Sequence, residues 1–256
     1  MALRDVASLS FGTAFGSFEL RAFELESGHV YLALVRGEIG EGRSVLTRLH
    51  SECLTGDALG SLRCDCGTQL RQAAREIAAE GRGVLIYATD HEGRGIGLVN
   101  KLRAYMLQED GEDTIDANSH LGFPPDARSY AAAADCLGLL GVRSVRLLTN
   151  NPSKVEALRR AGIDVETTIP LRTSPHVRSI DYLHTKEARL GHLAPAGVPL
   201  DGIPIGEATN VAPLLGRAAA PARRPYVVLK YAQTVDGRIA TRCSSASARR
   251  SPTIRS

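Results

Sequence analysis

The chain has 256 residues, of which 43% are hydrophobic, so it is long enough for one large domain or one domain with appendages. Its formal net charge of +3 is unevenly placed, because residues 217–256 carry nine Lys and Arg against one acid and residues 1–216 carry 22 against 27. The acidic body argues against a general nucleic-acid surface, and no apolar run reaches the ~20 residues that span a bilayer. We therefore expect no nucleic-acid or membrane partner and, since the N-terminus lacks a signal-peptide pattern, a cytoplasmic location.

The first elements alternate between strands and helices. Short strands are expected in the first 40 residues at GSFELRAFEL and HVYLALVRG, with polar turns between them. SVLTRLH is rich in apolar and β-branched residues and predicts a strand that runs into a cysteine-rich loop. TQLRQAAREIAAEG has apolar residues at helical spacing, with Gly81 just past its end. GVLIYAT then predicts a short, fully buried strand.

The alternation continues to about residue 170. IGLVNKLRAYMLQEDG predicts a helix that ends near Gly111, and DARSYAAAADCLGLLG predicts another with Asp126 as its N-cap and Gly141 at its far end. SVRLLTN predicts a buried strand, NPSKVEALRRAG a helix with Pro152 in its first turn, and DVETTIP a strand. This order predicts the α/β class: a layered α/β/α domain with a largely parallel or mixed sheet.

The C-terminal part has a different composition. We expect one domain over residues 1–195, an Ala/Pro/Gly-rich linker over 196–224, and a largely disordered segment over 225–256. The basic end of the chain could contact RNA or an acidic partner, but a solvated, disordered tail is the favoured interpretation.

Three of the five cysteines lie close together in RLHSECLTGDALGSLRCDCGTQ, residues 48–69. In a reducing compartment such a cluster binds metal more often than it forms disulfides, and a Cys-x-Cys pair is poorly placed for a mutual disulfide. Cys53, Cys64 and Cys66 would suit a zinc ion with one position open to water, the arrangement of catalytic sites. A closed structural site that adds His50 or a distant histidine remains the alternative. Cys136 is expected in the core, and Cys243 has no evident partner.

Polar loops follow the predicted strands. DHEGRGIGL places Glu92 and Arg94 at a helix start that suits an anion, although a tight turn with a solvated arginine is about as plausible. TNNPSK offers Thr149 and Lys154 in a similar setting, and Asp126 and Arg128 flank a further helix start, where their simplest roles are an N-cap and a surface cation. Because such loops meet at one edge of a sheet, a shared cleft is expected. Metal and anion sites together indicate hydrolysis of a phosphorylated small molecule, in particular a nucleotide.

Four segments in order carry a resemblance to a known family. RLHSECLTGDALGSLRCDCGTQL, EGRGIGLVNKLRAYMLQEDGEDTIDAN, LGFPPDARSY and VRLLTNNPSKVEALRRAGIDV resemble GTP cyclohydrolase II, over about residues 10–193. The resemblance implies that GTP is opened at its imidazole ring, which gives 2,5-diamino-6-ribosylamino-4(3H)-pyrimidinone 5′-phosphate, formate and pyrophosphate as the first step of riboflavin biosynthesis. It also implies one Zn²⁺ per subunit, Mg²⁺ with the GTP phosphates, and a homodimer.

The resemblance also assigns roles to individual residues. Cys53, Cys64 and Cys66 match zinc ligands, and a zinc-bound water would attack C8 of the guanine. Asp126 matches a proton acceptor, Arg128 a residue that attacks the α-phosphate, and Tyr105 a residue that assists the second hydrolytic step. We give stabilisation of transition-state charge by Arg128 at least equal weight, because a guanidinium is protonated at neutral pH. The implied GTP contacts are Arg48, Leu49, His50, Ser51, Glu52, Gln69, Glu92, Gly93, Arg94, Thr114, Thr149 and Lys154.

A second, short resemblance lies near the C-terminus. RRPYVVLKYAQTVDGRIA resembles the opening of the pyrimidine reductase domain of the same pathway, but too few residues follow to complete such a domain, and no reductase activity is expected. Two alternatives to the main interpretation stay open: a specialised paralogue that stops at the formamidopyrimidine, and a non-catalytic regulator that binds GTP or zinc. The intact set of cysteines with Tyr105, Asp126 and Arg128 argues against the second.

Overall fold

A computed structural model describes residues 3–192, except 111, 113, 172 and 174–178. All of these belong to one compact unit, Met1–Ile205. The predicted linker at 196–224, the segment at 225–256 and Cys243 lie outside the described residues. Within the described part of the chain, no helix is both long and apolar enough to cross a membrane.

A mixed seven-stranded sheet forms the centre of this unit, in the order β1-β2-β3-β5-β4-β6-β7. The first four strands of that order pair antiparallel, whereas β5, β4, β6 and β7 pair parallel. The predicted mixed sheet is therefore confirmed. The strands are β1 Leu3–Thr13, β2 Gly16–Leu25, β3 Val30–Arg36, β4 Val45–Ser51, β5 Gly83–Ala88, β6 Ser144–Leu148 and β7 Asp164–Ile169.

The helices confirm most of the sequence pattern, with one wrong boundary. Asp126 is not an N-cap, because α5 begins at Ala131 and the Asp126 carboxylate instead accepts the backbone N–H of Arg128 at 3.0 Å. Gly81 ends α2 in the left-handed conformation with a φ of 78°, as predicted. The pattern did not indicate α1, α4 or α7. The helices are α1 Leu54–Asp57, α2 Cys66–Glu80, a 3₁₀ segment Thr89–Arg94, α3 Gly97–Glu109, α4 Thr114–His120, α5 Ala131–Leu139, α6 Pro152–Arg160 and α7 Ile180–Leu190.

Helices cover both faces of the sheet, which confirms the predicted layering. On one face, Leu137 of α5 and Leu158 of α6 pack with Val45 and Leu49 of β4 in the main core cluster, which also contains the fully buried Cys136. On the other face, Ile77 and its neighbours in α2 pack on Leu46, Leu85 and Leu148. Successive strand residues point to opposite faces, so β4 contributes to both cores.

The parallel part of the sheet gathers three loops at one edge. Strands β4, β5 and β6 run in the same direction and end at Ser51, Ala88 and Leu148. The cysteine loop, the 3₁₀ segment and the turn before α6 follow these ends directly. Ligand sites of such sheets lie beyond the carboxyl ends of the strands, so the candidate site is expected there.

Candidate active site

The three clustered cysteines come together in space. Their Sγ atoms all lie within 4.8 Å of one another, and those of Cys53 and Cys64 are 3.6 Å apart. Gly56 is required beneath them, because a Cβ added there would lie 2.7 Å from the Sγ of Cys64 and 3.2 Å from that of Cys53. Convergent thiols at this spacing fit a tetrahedral zinc ion with one further position.

His50 is engaged elsewhere, which bears on the closed Cys₃His alternative. Its Nε2 lies 3.0 Å from Oδ2 of Asp57, and Asp57 also accepts hydrogen bonds from the Tyr87 hydroxyl at 2.9 Å and the Cys53 backbone N–H at 3.0 Å. The His50 ring stacks on that of Tyr87, with centroids 5.4 Å apart. Among the described residues, the metal-type cluster contains cysteines alone. Asp57 thus anchors β4, β5 and the start of the cysteine loop to one another.

A buried lysine stands beside the thiols. Lys101 Nζ lies 3.2 Å from the Cys53 Sγ and 2.5 Å from Oε1 of Glu92. Hydrogen bonds from the Cys64 and Cys66 thiols hold the pKa of Cys53 well below its usual range, against the effect of burial, and Lys101 adds to this. The same contact with Cys53 raises the pKa of Cys64 to about 11. An ammonium at this distance offsets the negative charge that metal-ligating thiolates bring into a buried site.

Glu92 fixes the loop after β5, and in the described part of the chain the terminal guanidinium nitrogens of Arg94 have no hydrogen-bond partner. Glu92 accepts the backbone N–H of Leu54 at 2.6 Å and that of Gly93 at 3.0 Å. Arg94 follows with a φ of 64°, a left-handed conformation that is strained for a residue with a side chain. Arg94 is 8% exposed, and both terminal nitrogens of its guanidinium are buried without a hydrogen-bond partner in the described part of the chain. Such a group is costly unless an anion binds it.

Two adjoining cavities make up the site. The cysteine cavity, of about 90 Å³, contains the three thiols, Lys101, Glu92 and Tyr105. The cation cavity, of about 60 Å³, is lined by Arg48, Arg94, Arg128, Lys154 and Lys186, and no acidic side chain is among the described residues that line it. The residues that line both cavities are Ser51, Cys66, Arg94, Arg128 and Tyr182.

Hydrogen bonds to neighbouring residues fix several side chains that line the cation cavity. Arg48 donates to the Leu148 carbonyl at 2.9 Å and to Oε1 of Gln69 at 2.7 Å, and Gln69 donates in turn to Asp65 at 2.6 Å. Lys154 Nζ donates to the Leu49 carbonyl at 2.8 Å. Burial, with the nearby charges of Arg48 and Arg128, lowers the pKa of Lys154 well below its usual range. An anion in the cavity would relieve this repulsion.

Arg128 and Asp126 form a two-pronged ion pair at the rim. Arg128 Nε lies 2.8 Å from Oδ1 of Asp126, and Nη2 lies 2.5 Å from Oδ2. Burial raises the pKa of Asp126, but the hydrogen bonds and charge of Arg128 outweigh it, so the net pKa is lowered. Burial likewise opposes the charge of Arg128, but its hydrogen bonds to Asp126 outweigh this and raise its pKa. Arg128 therefore enters the site as a cation. Asp126 itself lines neither the cysteine cavity nor the cation cavity.

The other predicted site residues lie in different places. Tyr105 faces the cysteine cavity, and its hydroxyl lies 3.3 Å from that of Thr55. Glu52 lines the same cavity, and burial together with the charge of Glu92 raises its pKa. Thr149 lines the cation cavity, although its hydroxyl accepts the Asn151 N–H at 3.0 Å. Leu49 packs in the hydrophobic core and reaches the site only through its carbonyl. The side chain of Thr114 lies outside the described residues.

The sequence reasoning missed several residues of the site. Lys101 precedes Tyr105 by one helical turn, so the spacing of α3 was a usable signal for its position. Asp65 lies between Cys64 and Cys66 in the sequence, and its carboxylate accepts a hydrogen bond from Lys186 at 3.1 Å. Three members of the cavity walls come from the C-terminal end of the described chain, where no pattern indicated a site: Tyr182, Lys186 and His192.

Comparison with known proteins places the chain among close relatives. The family model for GTP cyclohydrolase II matches residues 4–170. The chain is 51% identical over 191 residues to GTP cyclohydrolase-2 of Neisseria gonorrhoeae, covering 75% of this chain and 96% of the relative. It is 53% identical over 194 residues to that of Yersinia pseudotuberculosis, covering 75% and 98%. Riboflavin biosynthesis protein RibBA of Salinispora arenicola is 53% identical over 191 residues, which are 73% of this chain but only 45% of that protein.

Proposed function

Because the chain belongs to the GTP cyclohydrolase II family, we propose that it hydrolyses GTP with opening of the imidazole ring. The products would be 2,5-diamino-6-ribosylamino-4(3H)-pyrimidinone 5′-phosphate, formate and pyrophosphate, in riboflavin biosynthesis. The observation that carries this proposal is the adjacency of a three-thiol cavity and a cavity lined by five Arg and Lys side chains. One end suits a base that undergoes metal-assisted hydrolysis, and the other suits a triphosphate.

Zinc is part of the proposal, with Cys53, Cys64 and Cys66 as its ligands. Their convergence, together with the ammonium of Lys101 beside them, fits a metal of this type. Zinc in such a site acts as a Lewis acid and lowers the pKa of a water molecule towards neutrality. Mg²⁺ would accompany the GTP phosphates, as is usual for nucleotide substrates.

The chain's own residues would orient the substrate and balance its charge. Arg94, whose terminal guanidinium nitrogens have no hydrogen-bond partner among the described residues, would bind phosphate oxygens. Lys154, whose pKa is lowered in the free cavity, would become a second cationic contact once a bound anion raises that pKa again. Gln69, which the resemblance assigns to the base, lines the cation cavity, where hydrogen bonds to Arg48 at 2.7 Å and to Asp65 at 2.6 Å hold its amide. Glu52, whose pKa is raised, and Tyr105 lie near the thiols, where proton transfer and placement of the formamide for its second hydrolysis would be needed.

Arg128 is proposed to stabilise negative charge on the α-phosphate as pyrophosphate leaves. Its guanidinium is charged and held by Asp126, so attack by Arg128 as a nucleophile would require loss of both a proton and an ion pair. Asp126 would act as a proton acceptor only after Arg128 turns towards the phosphate, because the present pairing lowers its pKa.

The direct test is a product assay on the full chain with GTP, Zn²⁺ and Mg²⁺. We expect formate release, pyrophosphate release and the deformylated pyrimidine by mass spectrometry. Cys66→Ser should lose zinc and formate release together, whereas Cys136→Ala, which removes a thiol from the core instead, should keep both. Arrest at the formamide would support the specialised paralogue, and GTP binding without any product would support the regulator. Full formate release by zinc-free protein would remove the metal from the reaction.

Two further features complete the proposal. A homodimer is proposed from the family, and exposed apolar side chains on β1, namely Val6, Leu9 and Phe11 at 50%, 50% and 40% exposure, offer surface that a second copy would cover. Sedimentation of the purified chain at twice its monomer mass is the expected result. A cytoplasmic location is proposed in keeping with a biosynthetic role.

A further inference from the structure

Helix α7 contributes a cation to the site although it lies beyond residues 4–170, which match the family model. Lys186, in the second half of this helix, has a side chain only 13% exposed, and it lines the cation cavity. Its Nζ lies 3.1 Å from Oδ1 of Asp65, at the start of α2, and 4.3 Å from the centre of the Tyr182 ring. Tyr182, one turn earlier, lines both cavities.

The charges around Lys186 do not balance. Five Arg and Lys side chains line the cation cavity, and among the residues that the structure describes only Lys186 and Arg128 of these five form ion pairs with carboxylates, those of Asp65 and Asp126. Burial opposes the charge of Lys186, but Asp65 and the Tyr182 hydroxyl outweigh this effect, so the pKa of Lys186 is raised. Lys186 is therefore charged, and its charge is among the causes that lower the pKa of Lys154.

A second observation indicates that an anion belongs here. The guanidinium of Arg94 lines the same cavity, belongs to a residue that is only 8% exposed, and has two terminal nitrogens without a partner among the described residues. Thr149, Asn150 and Asn151 line the cavity at the start of α6 and add neutral polar groups. A cavity with surplus positive charge and unsatisfied donors favours a ligand with several negatively charged oxygens.

We propose that Lys186 is a phosphate-binding residue of this site, so that α7 completes the pocket for the phosphates of the nucleotide while Asp65 holds the lysine in position. The identity of the nucleotide rests on the proposed function; the anion-binding role of Lys186 does not. A purely structural lysine, which only neutralises Asp65, would support the base end and the phosphate end of the site alike. Removal of a phosphate-binding lysine would instead weaken the binding of ligands that carry phosphates and leave the binding of an unphosphorylated ligand unchanged.

The test is calorimetric titration of the zinc-loaded full chain with inorganic pyrophosphate and, separately, with guanosine. Loss of one charge-assisted contact predicts that Lys186→Gln binds pyrophosphate about tenfold more weakly than the wild type, with guanosine affinity unchanged. Lys186→Arg should recover most of the affinity. The matched control is Arg189→Gln on the same helix, because Arg189 is exposed, pairs with Asp116 at 3.0 Å and lines neither cavity. It removes the same charge and should bind pyrophosphate like the wild type.

Wild-type pyrophosphate affinity in Lys186→Gln, or equal losses for pyrophosphate and guanosine, would overturn the proposal. If thermal melting shows that Lys186→Gln does not fold, amide hydrogen exchange of the wild type replaces the titration. Peptides from residues 180–190 are expected to exchange more slowly in the presence of pyrophosphate than in its absence, and unchanged exchange would overturn the proposal. Formate release from GTP by the wild type tests the proposed function separately. An enzyme inactive on GTP whose pyrophosphate binding depends on Lys186 would refute the function and support the inference.

Discussion

Replacement of Lys101 by methionine should reveal how far the metal end of the site depends on one buried charge. Lys101 and Glu92 form an ion pair at 2.5 Å, with side chains only 9% and 7% exposed. Breaking such a pair by removing one partner costs about 3–5 kcal/mol, since the other charge stays buried. Glu92 would keep the N–H groups of Leu54 and Gly93 as donors, so the lower end, about 3 kcal/mol, is expected.

The measurement is urea unfolding of the metal-free chain, so that zinc binding does not add to the stability of either variant. Arg160→Met is the control, because Arg160 pairs with Glu156 on the surface at 3.8 Å, with side chains 76% and 71% exposed. Surface pairs of this spacing contribute about 0.3–0.5 kcal/mol, so the control should unfold almost as the wild type does.

A double variant separates the ion pair from the packing of the lysine chain. Glu92→Gln in the Lys101→Met background removes the stranded charge and should recover more than about 1 kcal/mol, a coupling typical of residues in one network. Competition for zinc should also show weaker binding by Lys101→Met, because the ammonium 3.2 Å from the Cys53 Sγ is lost. A loss below about 1 kcal/mol in the single variant would show that Glu92 is not buried as a charge, and the reasoning would fail.

Two predictions concern pH. Burial lowers the pKa of His91 to about 4 in the folded chain, whereas the pKa in the unfolded chain is near 6.5. The neutral ring therefore contributes stability above pH 6.5, and the free energy of unfolding should fall by about 3 kcal/mol as the pH is lowered towards 4. Unfolding of wild type and His91→Gln between pH 7 and pH 4 checks this, and parallel curves would contradict it. The pKa of Lys154 is lowered in the free cavity, and a bound anion should raise it again. At a pH between the lowered pKa and the usual value near 10, Lys154 should therefore take up a proton when the anion binds. Pyrophosphate titrations in buffers of different ionisation enthalpy should show this uptake in the wild type and less of it in Lys154→Met; equal uptake would contradict the prediction.

Local sequence patterns predict most of the fold because the helices and strands around the site each have one clear buried face. Helix α2 shows apolar residues at helical spacing and a left-handed Gly81, and both signals are local. Strand β1 gave no such signal, since its residues are exposed or half-buried along its length and alternation needs a buried face. The start of α5 was misplaced because Asp126, a good capping residue, bonds to Arg128 instead.

The site likewise contains residues that local sequence patterns predict and residues that they do not. The thiols are close in sequence, so their spacing alone indicates a metal. Lys186 meets Asp65 across 121 residues, and no local pattern reports a contact of that range. The lack of a hydrogen-bond partner for the Arg94 guanidinium among the described residues is likewise a property of the folded cavity, because the sequence does not distinguish an exposed arginine from a buried one.

Strand β4 links the hydrophobic core to the proposed GTP pocket. Its register against β5 pairs Arg48 with Leu85 and His50 with Tyr87, which places both polar side chains on the α2 face, whereas Leu49 packs under α5. A slip of one residue would reverse every side chain, so Arg48 would enter the core and Leu49 would face the cation cavity. The alternation that specifies the core therefore also specifies the pocket. The contact that the resemblance assigns to Leu49 has a physical form only through its backbone, whose carbonyl holds Lys154 at 2.8 Å while the side chain anchors the strand.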